Sequence, residues 1–158
     1  MSAFDKYLQE IIVRAMHEAH EDGSATIDAQ HLLLSLAADQ GTAAQQVLAS
    51  AGLDHAAVRD ALDREFEHSL NMVGVSPAAY DLPRPSRVSQ QPKMGASARL
   101  ALDRSFASAR KKDLRSAHLL LGILRAQVGT VPRALALAGI DRAELADRVR
   151  QTLNPQDQ

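Results

Sequence analysis

Two nearly unbroken apolar runs dominate the pattern of hydrophobic and polar positions along the chain. His31 is followed by Leu-Leu-Leu-Ser-Leu, and His118 is followed by Leu-Leu-Leu-Gly-Ile. Such a run cannot be divided into a wet and a dry face, so each one predicts a helix that is buried on most sides. Elsewhere the apolar positions recur at helical spacing and leave a polar face, which predicts amphipathic helices that cover the two buried ones.

The first half of the chain predicts four helices. The first extends from Phe4 to about Asp22, and Asp28 caps the second, which carries the first apolar run. The third ends at Gly52, and Asp54 caps the fourth. The predicted inward row of the fourth helix consists of Val58, Leu62 and Phe66.

The helical pattern fails between residues 68 and 93, where four of the six prolines lie among serine, asparagine and glutamine. This composition predicts an extended linker. The simpler interpretation is a tether between two halves. The alternative is that Tyr80, Leu82 and Val88 lay this segment over the groove between the halves.

A second set of four helices is predicted after the linker. The fifth helix extends from Met94 to Arg110, with a basic run at its end that either caps the helix or docks an acidic partner. Ser116 caps the sixth helix, Pro132 lies in the first turn of the seventh, and Asp141 begins the eighth.

The two halves are copies of one unit. A constant offset of 87 residues relates the two apolar runs and the Gly-apolar-Asp turns that follow them. In the first helix of each half the offset is 90, which relates Phe4 to Met94 and Arg14 to Arg104. We therefore expect one domain over residues 1–158, with repeat one at 4–67, the linker at 68–93 and repeat two at 94–153.

The amino-acid composition argues against several classes of function. The chain has no cysteine, which excludes disulfides and thiolate metal sites and suits a reducing compartment. Its formal net charge of -1 argues against a general nucleic-acid binder. No apolar run approaches the roughly 20 residues of a membrane span. We expect a cytoplasmic protein that binds neither nucleic acid nor membranes.

The duplicated His-Leu-Leu-Leu-x-(Leu/Ile) run, with Gly-(Leu/Ile)-Asp downstream, resembles the Clp N-terminal domain, which receives substrates for Clp ATPases. The resemblance implies an all-α domain of eight helices, arranged as two four-helix repeats related by a pseudo-two-fold axis. It implies no catalysis and no cofactor. Such domains dock adaptors, unfolded or marked substrates and, in some bacteria, cyclic-peptide antibiotics. The sequence has no Gly-x-x-x-x-Gly-Lys-(Ser/Thr) phosphate loop, so we expect a free-standing copy without the ATPase modules.

Two positions depart from the family pattern. Family members often carry a glutamate just before the leucine run, and in those that recognise phosphoarginine this glutamate binds the guanidinium group. Here the two positions hold Gln30 and Ala117. Because an amide and a methyl group cannot supply a charge-assisted acceptor, we expect no phosphoarginine recognition by the usual route.

The resemblance also indicates a ligand surface near the starts of the first helices of both repeats. Phe4, Tyr7 and Met94 are its apolar candidates, because an exposed aromatic ring and a methionine suit adaptable apolar contacts. The alternative is that Phe4 closes the helix start onto its own core. The polar candidates around the same surface are Gln9, Lys93 and Arg99.

The histidines suggest a separate hypothesis of function, a metal-dependent hydrolase. His17 and His20 lie near glutamates on one helix, but two imidazoles alone rarely hold a metal. His31 and His118 are better interpreted as residues that bind a backbone or cap group in the first turn of a buried helix. We therefore expect no metal site and no catalytic residue.

The sequence thus predicts a monomeric, non-enzymatic binding module related to Clp N-domains. As an adaptor, regulator or competitor in Clp-dependent proteolysis, it would bind peptides, adaptor proteins or Clp ATPase subunits. The alternative function is a decoy that sequesters cyclic-peptide antibiotics aimed at Clp N-domains.

Overall fold

A computed structural model describes residues 2–74 and 91–153. Within these ranges the chain forms eight α-helices, two strands of two residues each, and a 3-10 turn at Lys111–Asp113. The helices are α1 Ala3–Glu21, α2 Ala29–Ala38, α3 Ala43–Ser50, α4 His55–Met72, α5 Ala96–Ala107, α6 Ser116–Leu124, α7 Thr130–Leu137 and α8 Arg142–Leu153. The strands are β1 Thr26–Ile27 and β2 Lys93–Met94. The all-α prediction with eight helices is confirmed.

The two apolar runs form α2 and α6 at the centre of one shared core. Every leucine of the α2 run is at most 2% exposed, and the α6 run is buried almost as completely. Helix α1 packs on α2, and α5 packs on α6. The third helix of each repeat packs on the fourth helix of the other, α3 on α8 and α4 on α7. This exchange is the arrangement expected of two repeats related by a pseudo-two-fold axis.

The start of repeat two differs from the prediction. Met94 lies in β2, which pairs in parallel with β1, and α5 begins two residues later at Ala96. The backbone N–H of Gly95 donates to the Ile27 carbonyl oxygen at 2.8 Å. A two-residue strand has no periodicity, and its partner lies far away in the sequence, so the helical pattern was extended too far.

The basic run and Ser116 also take other roles. Helix α5 ends at Ala107, and Lys111 in the following turn lies 3.2 Å from the Asp5 carboxylate on α1. Ser116 is the first residue of α6 rather than its cap, and its hydroxyl accepts a hydrogen bond from the Ala44 N–H at 3.2 Å. It therefore anchors the first turn of α3 in the other repeat.

Helix α4 continues through Met72, beyond the predicted end of repeat one at residue 67. Phe66, predicted to face inward, is 58% exposed, and Glu65 is buried in its place. The Glu65 carboxylate accepts a hydrogen bond from Arg133 Nε on α7 at 2.9 Å. Both residues fit helical spacing after Leu62, and the arginine on the neighbouring helix selects the carboxylate. Residues 75–90, which include the rest of the Pro-rich linker and its candidate groove contacts, lie outside the described ranges.

None of the helices in the described ranges is long and apolar enough to cross a lipid bilayer.

Candidate functional site

The two histidines that open the buried runs bind backbone groups at the starts of their helices. His31 Nδ1 accepts a hydrogen bond from the Asp28 N–H at 2.9 Å, and His118 Nδ1 accepts one from the Arg115 N–H at 3.0 Å. Each ring acts like the third-position side chain of a capping box. Burial, together with the Arg115 charge, lowers the pKa of His118. Their interpretation as capping residues is confirmed.

A charge cluster ties α1 to α4. Because His31 Nδ1 is an acceptor, its Nε2 carries the proton and donates to the Asp22 carboxylate at 3.0 Å. Arg59 contacts Asp22 and Glu18, each at 2.6 Å, and Glu18 also meets His55 at 2.6 Å. Burial would raise the pKa of Asp22, but the His31 hydrogen bond and the Arg59 charge outweigh it and lower the pKa. Both carboxylates have cationic or N–H partners, so this cluster is structural.

The histidine pair on α1 does not assemble a metal site. His17 is exposed, and its Nε2 lies 3.9 Å from the Glu21 carboxylate. Within residues 2–74 and 91–153, no three histidine, aspartate or glutamate side chains are grouped so that they could hold a metal ion. The hydrolase hypothesis therefore has no supporting geometry in this part of the chain.

A cavity of about 370 Å³ lies at the joint between the repeats. The start of α2, one face of α5, the segment 126–129 and the first turn of α7 form its walls. Its apolar lining consists of Ala29, Leu100, Ala101, Ile123, Ala126, Val128, Val131 and Pro132. Both the volume and the mixed lining are typical of a small ligand-binding cavity.

Three charged side chains line this cavity, and two of them are engaged. The Asp28 carboxylate accepts hydrogen bonds from two neighbouring hydroxyls, those of Thr26 and Ser97. Arg133 donates to the Glu65 carboxylate. Arg104 on α5 is partly buried and makes no hydrogen bond or ion pair with any residue of the described ranges. It is the charged group that the cavity offers to a ligand.

Tyr7 is the repeat-one counterpart of a residue that lines the cavity. The offset of 90 relates Ser97, which lines the cavity, to Tyr7 on α1. Burial, reinforced by the charge of Asp39, raises the pKa of the Tyr7 hydroxyl, and the Ser116 hydroxyl offsets this only in part. Judged by bond geometry, the buried Tyr7 hydroxyl has no hydrogen-bond partner among the described residues. Tyr7 is partly buried and packs against the hydrophobic core, so its buried hydroxyl is not presented to a ligand.

The two substituted positions before the leucine runs differ in access. Gln30 is partly buried and lines the cavity from the first turn of α2. Ala117 is 1% exposed and packs in the core. Of the two, Gln30 alone is placed to meet a ligand in the cavity.

The remaining sequence candidates fall into separate surroundings. Phe4 is only 8% exposed, so the expectation of an exposed aromatic ring is wrong, and its ring lies against Tyr7 with centroids 6.1 Å apart. Met94 packs on the core from β2, and its neighbour Lys93 is exposed. Two further exposed side chains stand on helices: Gln9 on α1 and Arg99 on α5. None of these six residues lines the 370 Å³ cavity.

A smaller pocket of about 270 Å³ adjoins Phe4. It is lined by Phe4, Asp5, Phe106, Lys111 and Leu114, and Phe106 is 46% exposed. The Lys111–Asp5 ion pair borders the same pocket. Phe4 therefore keeps a place on a candidate surface, although it is buried.

Sequence reasoning missed the residues that shape the larger cavity, above all Arg104, Leu100 and Val128. The repeat relates Arg104 to Arg14, but the acidic partner of Arg14, Asp39, has no acidic counterpart in repeat two. The signal lay at the offset of 87, which relates the acid Asp39 to Ala126. The acid at one of these positions and the alanine at the other distinguish the paired Arg14 from Arg104, which has no partner among the described residues.

Comparison with known proteins supports the fold and the repeat assignment. The model of the family described as Clp repeat (R) N-terminal domain matches residues 3–112. Among solved structures, the N-terminal domain of the caseinolytic protease associated chaperone ClpD from Arabidopsis thaliana superposes with a TM-score of 0.61 at 18% identity. That match covers 92% of this chain and 94% of the other, and it shows the shared fold. No curated protein sequence matches the chain significantly.

Proposed function

Because the chain belongs to the Clp repeat N-terminal domain family, we propose that it is a non-catalytic module that binds peptide segments of Clp substrates or adaptors. The family match carries this proposal, since it extends over the whole first repeat and the start of the second. The cavity at the joint supports it with a mostly apolar lining and a cation, Arg104, that has no partner among the described residues. A module of this kind delivers a bound protein to a Clp ATPase or withholds it.

Exposed apolar side chains at the cavity mouth indicate where an extended segment enters. Leu100 on α5 is 52% exposed and Val128 projects almost fully into solvent, while both line the cavity. Exposed apolar residues that adjoin a cavity mark binding surfaces more reliably than scattered ones. An unfolded substrate would therefore bury Leu100 and Val128 as it enters.

Direct binding of an unfolded protein tests this proposal. We expect the chain to raise the fluorescence anisotropy of labelled casein in a saturable way, and Leu100→Asp to weaken that binding by at least about fivefold. Val13→Asp is the matched control, because Val13 on α1 is 54% exposed and lies outside the cavity lining. Failure of casein to bind, or equal losses in both variants, would contradict the proposal.

The substituted position Gln30 separates this module from phosphoarginine readers. Gln30 is neutral, so it offers no charge-assisted acceptor to a guanidinium group. We therefore expect arginine-phosphorylated casein to gain no affinity from a contact between its guanidinium group and Gln30.

A second candidate function is sequestration of cyclic-peptide antibiotics. The specific observation is the 270 Å³ pocket, where Phe4 and the half-exposed Phe106 would provide aromatic contacts. Calorimetry against cyclic peptides that target Clp N-domains tests it, with Phe106→Ala expected to abolish the heat of binding. Absence of heat at about 50 μM ligand would exclude a useful decoy.

A further inference from the structure

The two repeats treat one arginine differently. Arg14 on α1 is neutralised within the fold, because its Nη1 lies 3.2 Å from the Asp39 carboxylate. The equivalent arginine of repeat two is Arg104, and the position equivalent to Asp39 is Ala126. Both Arg104 and Ala126 line the 370 Å³ cavity. The second repeat thus keeps the cation, lacks the acid, and has an open cavity beside it.

A partly buried arginine without an acceptor favours an anionic ligand. Its five N–H donors form a fork that matches a carboxylate, and a low-dielectric wall strengthens the pair. The acid within the lining, Asp28, is already engaged by hydroxyl groups, and Arg133 is already paired with Glu65. Arg104 is therefore the group whose charge a ligand would neutralise.

The apolar lining further restricts the class of anionic ligand that fits the cavity. Leu100, Val128 and Pro132 surround the same small space as Arg104. A volume of about 370 Å³ accommodates about two amino-acid residues. A C-terminal residue brings an apolar side chain and a carboxylate together on one α-carbon, whereas an internal aspartate or glutamate brings only the carboxylate.

We propose that the cavity binds the C-terminal residue of a peptide, with the terminal carboxylate on Arg104 and an apolar side chain against Leu100, Val128 and Pro132. This inference rests on the proposed peptide-binding function and specifies which end of the peptide is bound. Because repeat two has Ala126 where repeat one has Asp39, Arg104 is left available to a ligand carboxylate.

A titration of the ¹⁵N-labelled full-length chain tests the proposal by NMR. The probes are acetyl-Gly-Gly-Leu with a free C-terminal carboxylate, its C-terminal amide, and acetyl-Gly-Asp-Gly-amide, whose only carboxylate is internal. We expect the free acid to shift the amide signals of Leu100, Arg104 and segment 127–130. The amide and the internal acid should bind at least about tenfold more weakly.

Two variants test the role of the cation. Arg104→Gln removes it, and Ala126→Asp restores the acid so that Arg104 becomes paired within the chain. Both are expected to weaken binding of the free acid at least about tenfold. Arg14→Gln, at the equivalent paired position, is the control and should leave the affinity unchanged. Melting curves verify that each variant is folded, and because Ala126→Asp retains Arg104, its loss of binding cannot come from removing that side chain.

The outcomes separate this inference from the proposed function. Equal affinity for the free acid and its amide, or binding that Ala126→Asp leaves intact, would overturn the carboxylate site. Tight binding of the internal acid would overturn the choice of a C-terminus. Absence of shifts at about 5 mM free acid would overturn the site altogether, while saturable casein binding would still support the proposed function.

Discussion

Single residues distinguish the two repeats at positions that line the cavity. Ser97 of the lining corresponds to Tyr7, and Ala126 corresponds to Asp39, the acid that neutralises Arg14. Arg14 is therefore paired, whereas Arg104 lines the cavity and has no partner among the described residues. The fold itself is maintained, because neither change alters the buried leucine runs.

The buried Tyr7 hydroxyl lowers the stability of the fold, and a substitution that removes the hydroxyl removes this effect. It is buried without a hydrogen-bond partner among the described residues, so Tyr7→Phe keeps the ring and removes an unsatisfied polar group. We expect the free energy of unfolding to stay unchanged or to rise by up to about 1 kcal/mol, measured by urea denaturation. A loss of stability greater than about 1 kcal/mol would show that the hydroxyl is hydrogen bonded.

His118 makes stability depend on pH. Burial and the Arg115 charge lower its pKa in the folded state, so the unfolded state binds the proton more readily. Its contribution is fully present above about pH 6.5 and is lost as the pH falls through that value towards the folded pKa. His118→Gln retains an acceptor for the Arg115 N–H, so it should lose less stability than the wild type between about pH 7.5 and pH 5.5.

Urea titrations at several pH values measure this difference. The control is His17→Gln, since His17 is exposed and does not cap a helix. An unchanged pH profile in His118→Gln would contradict the account.

At the scale of elements, residue periodicity was enough to predict the helices. The apolar runs, the caps Asp28 and Asp54, and Gly52 at the end of α3 located most boundaries to within a few residues. Long-range partners explain the differences. Met94 pairs with Ile27, Ser116 accepts from Ala44, and contacts of this kind leave no periodic signal in the local sequence.

Helices α5 and α6 approach each other closely at Gly122, and a substitution there tests how the two helices pack. A Cβ at Gly122 would collide with the Ala101 carbonyl oxygen and with the Ser105 hydroxyl that donates to that carbonyl at 2.8 Å. The equivalent residue in repeat one is Ser35, whose hydroxyl reaches the Ile11 carbonyl at 2.9 Å. In repeat one the hydroxyl lies on the central helix α2, whereas in repeat two it lies on α5, next to the central helix α6.

Gly122→Ala is expected to lower the free energy of unfolding by about 1–3 kcal/mol, because the helices must separate to admit a methyl group. Ser35→Ala is the matched control, since its site already accommodates a Cβ, and it should lose only about 1 kcal/mol with its hydrogen bond. Urea denaturation of both variants measures the difference. A neutral Gly122→Ala would contradict the close approach of α5 to α6.

At the scale of the whole molecule, the exchange of third and fourth helices joins the repeats through one core. Helix α4 of repeat one packs on α7 of repeat two, and α7 also lines the cavity together with α5 and the start of α2. The site therefore exists only where both repeats meet. The duplicated sequence indicated that joint, but it did not show which residues line the cavity, because the lining depends on contacts between the repeats.

We propose that the chain binds Clp substrates through this joint. The most direct measurement is the rate at which a reconstituted Clp ATPase and its protease degrade labelled casein as the chain is added. We expect a saturable change in rate with the wild type and with Val13→Asp, and a much smaller change with Leu100→Asp. A degradation rate that excess wild-type chain leaves unaltered, or that Leu100→Asp alters as strongly as the wild type does, would contradict the account.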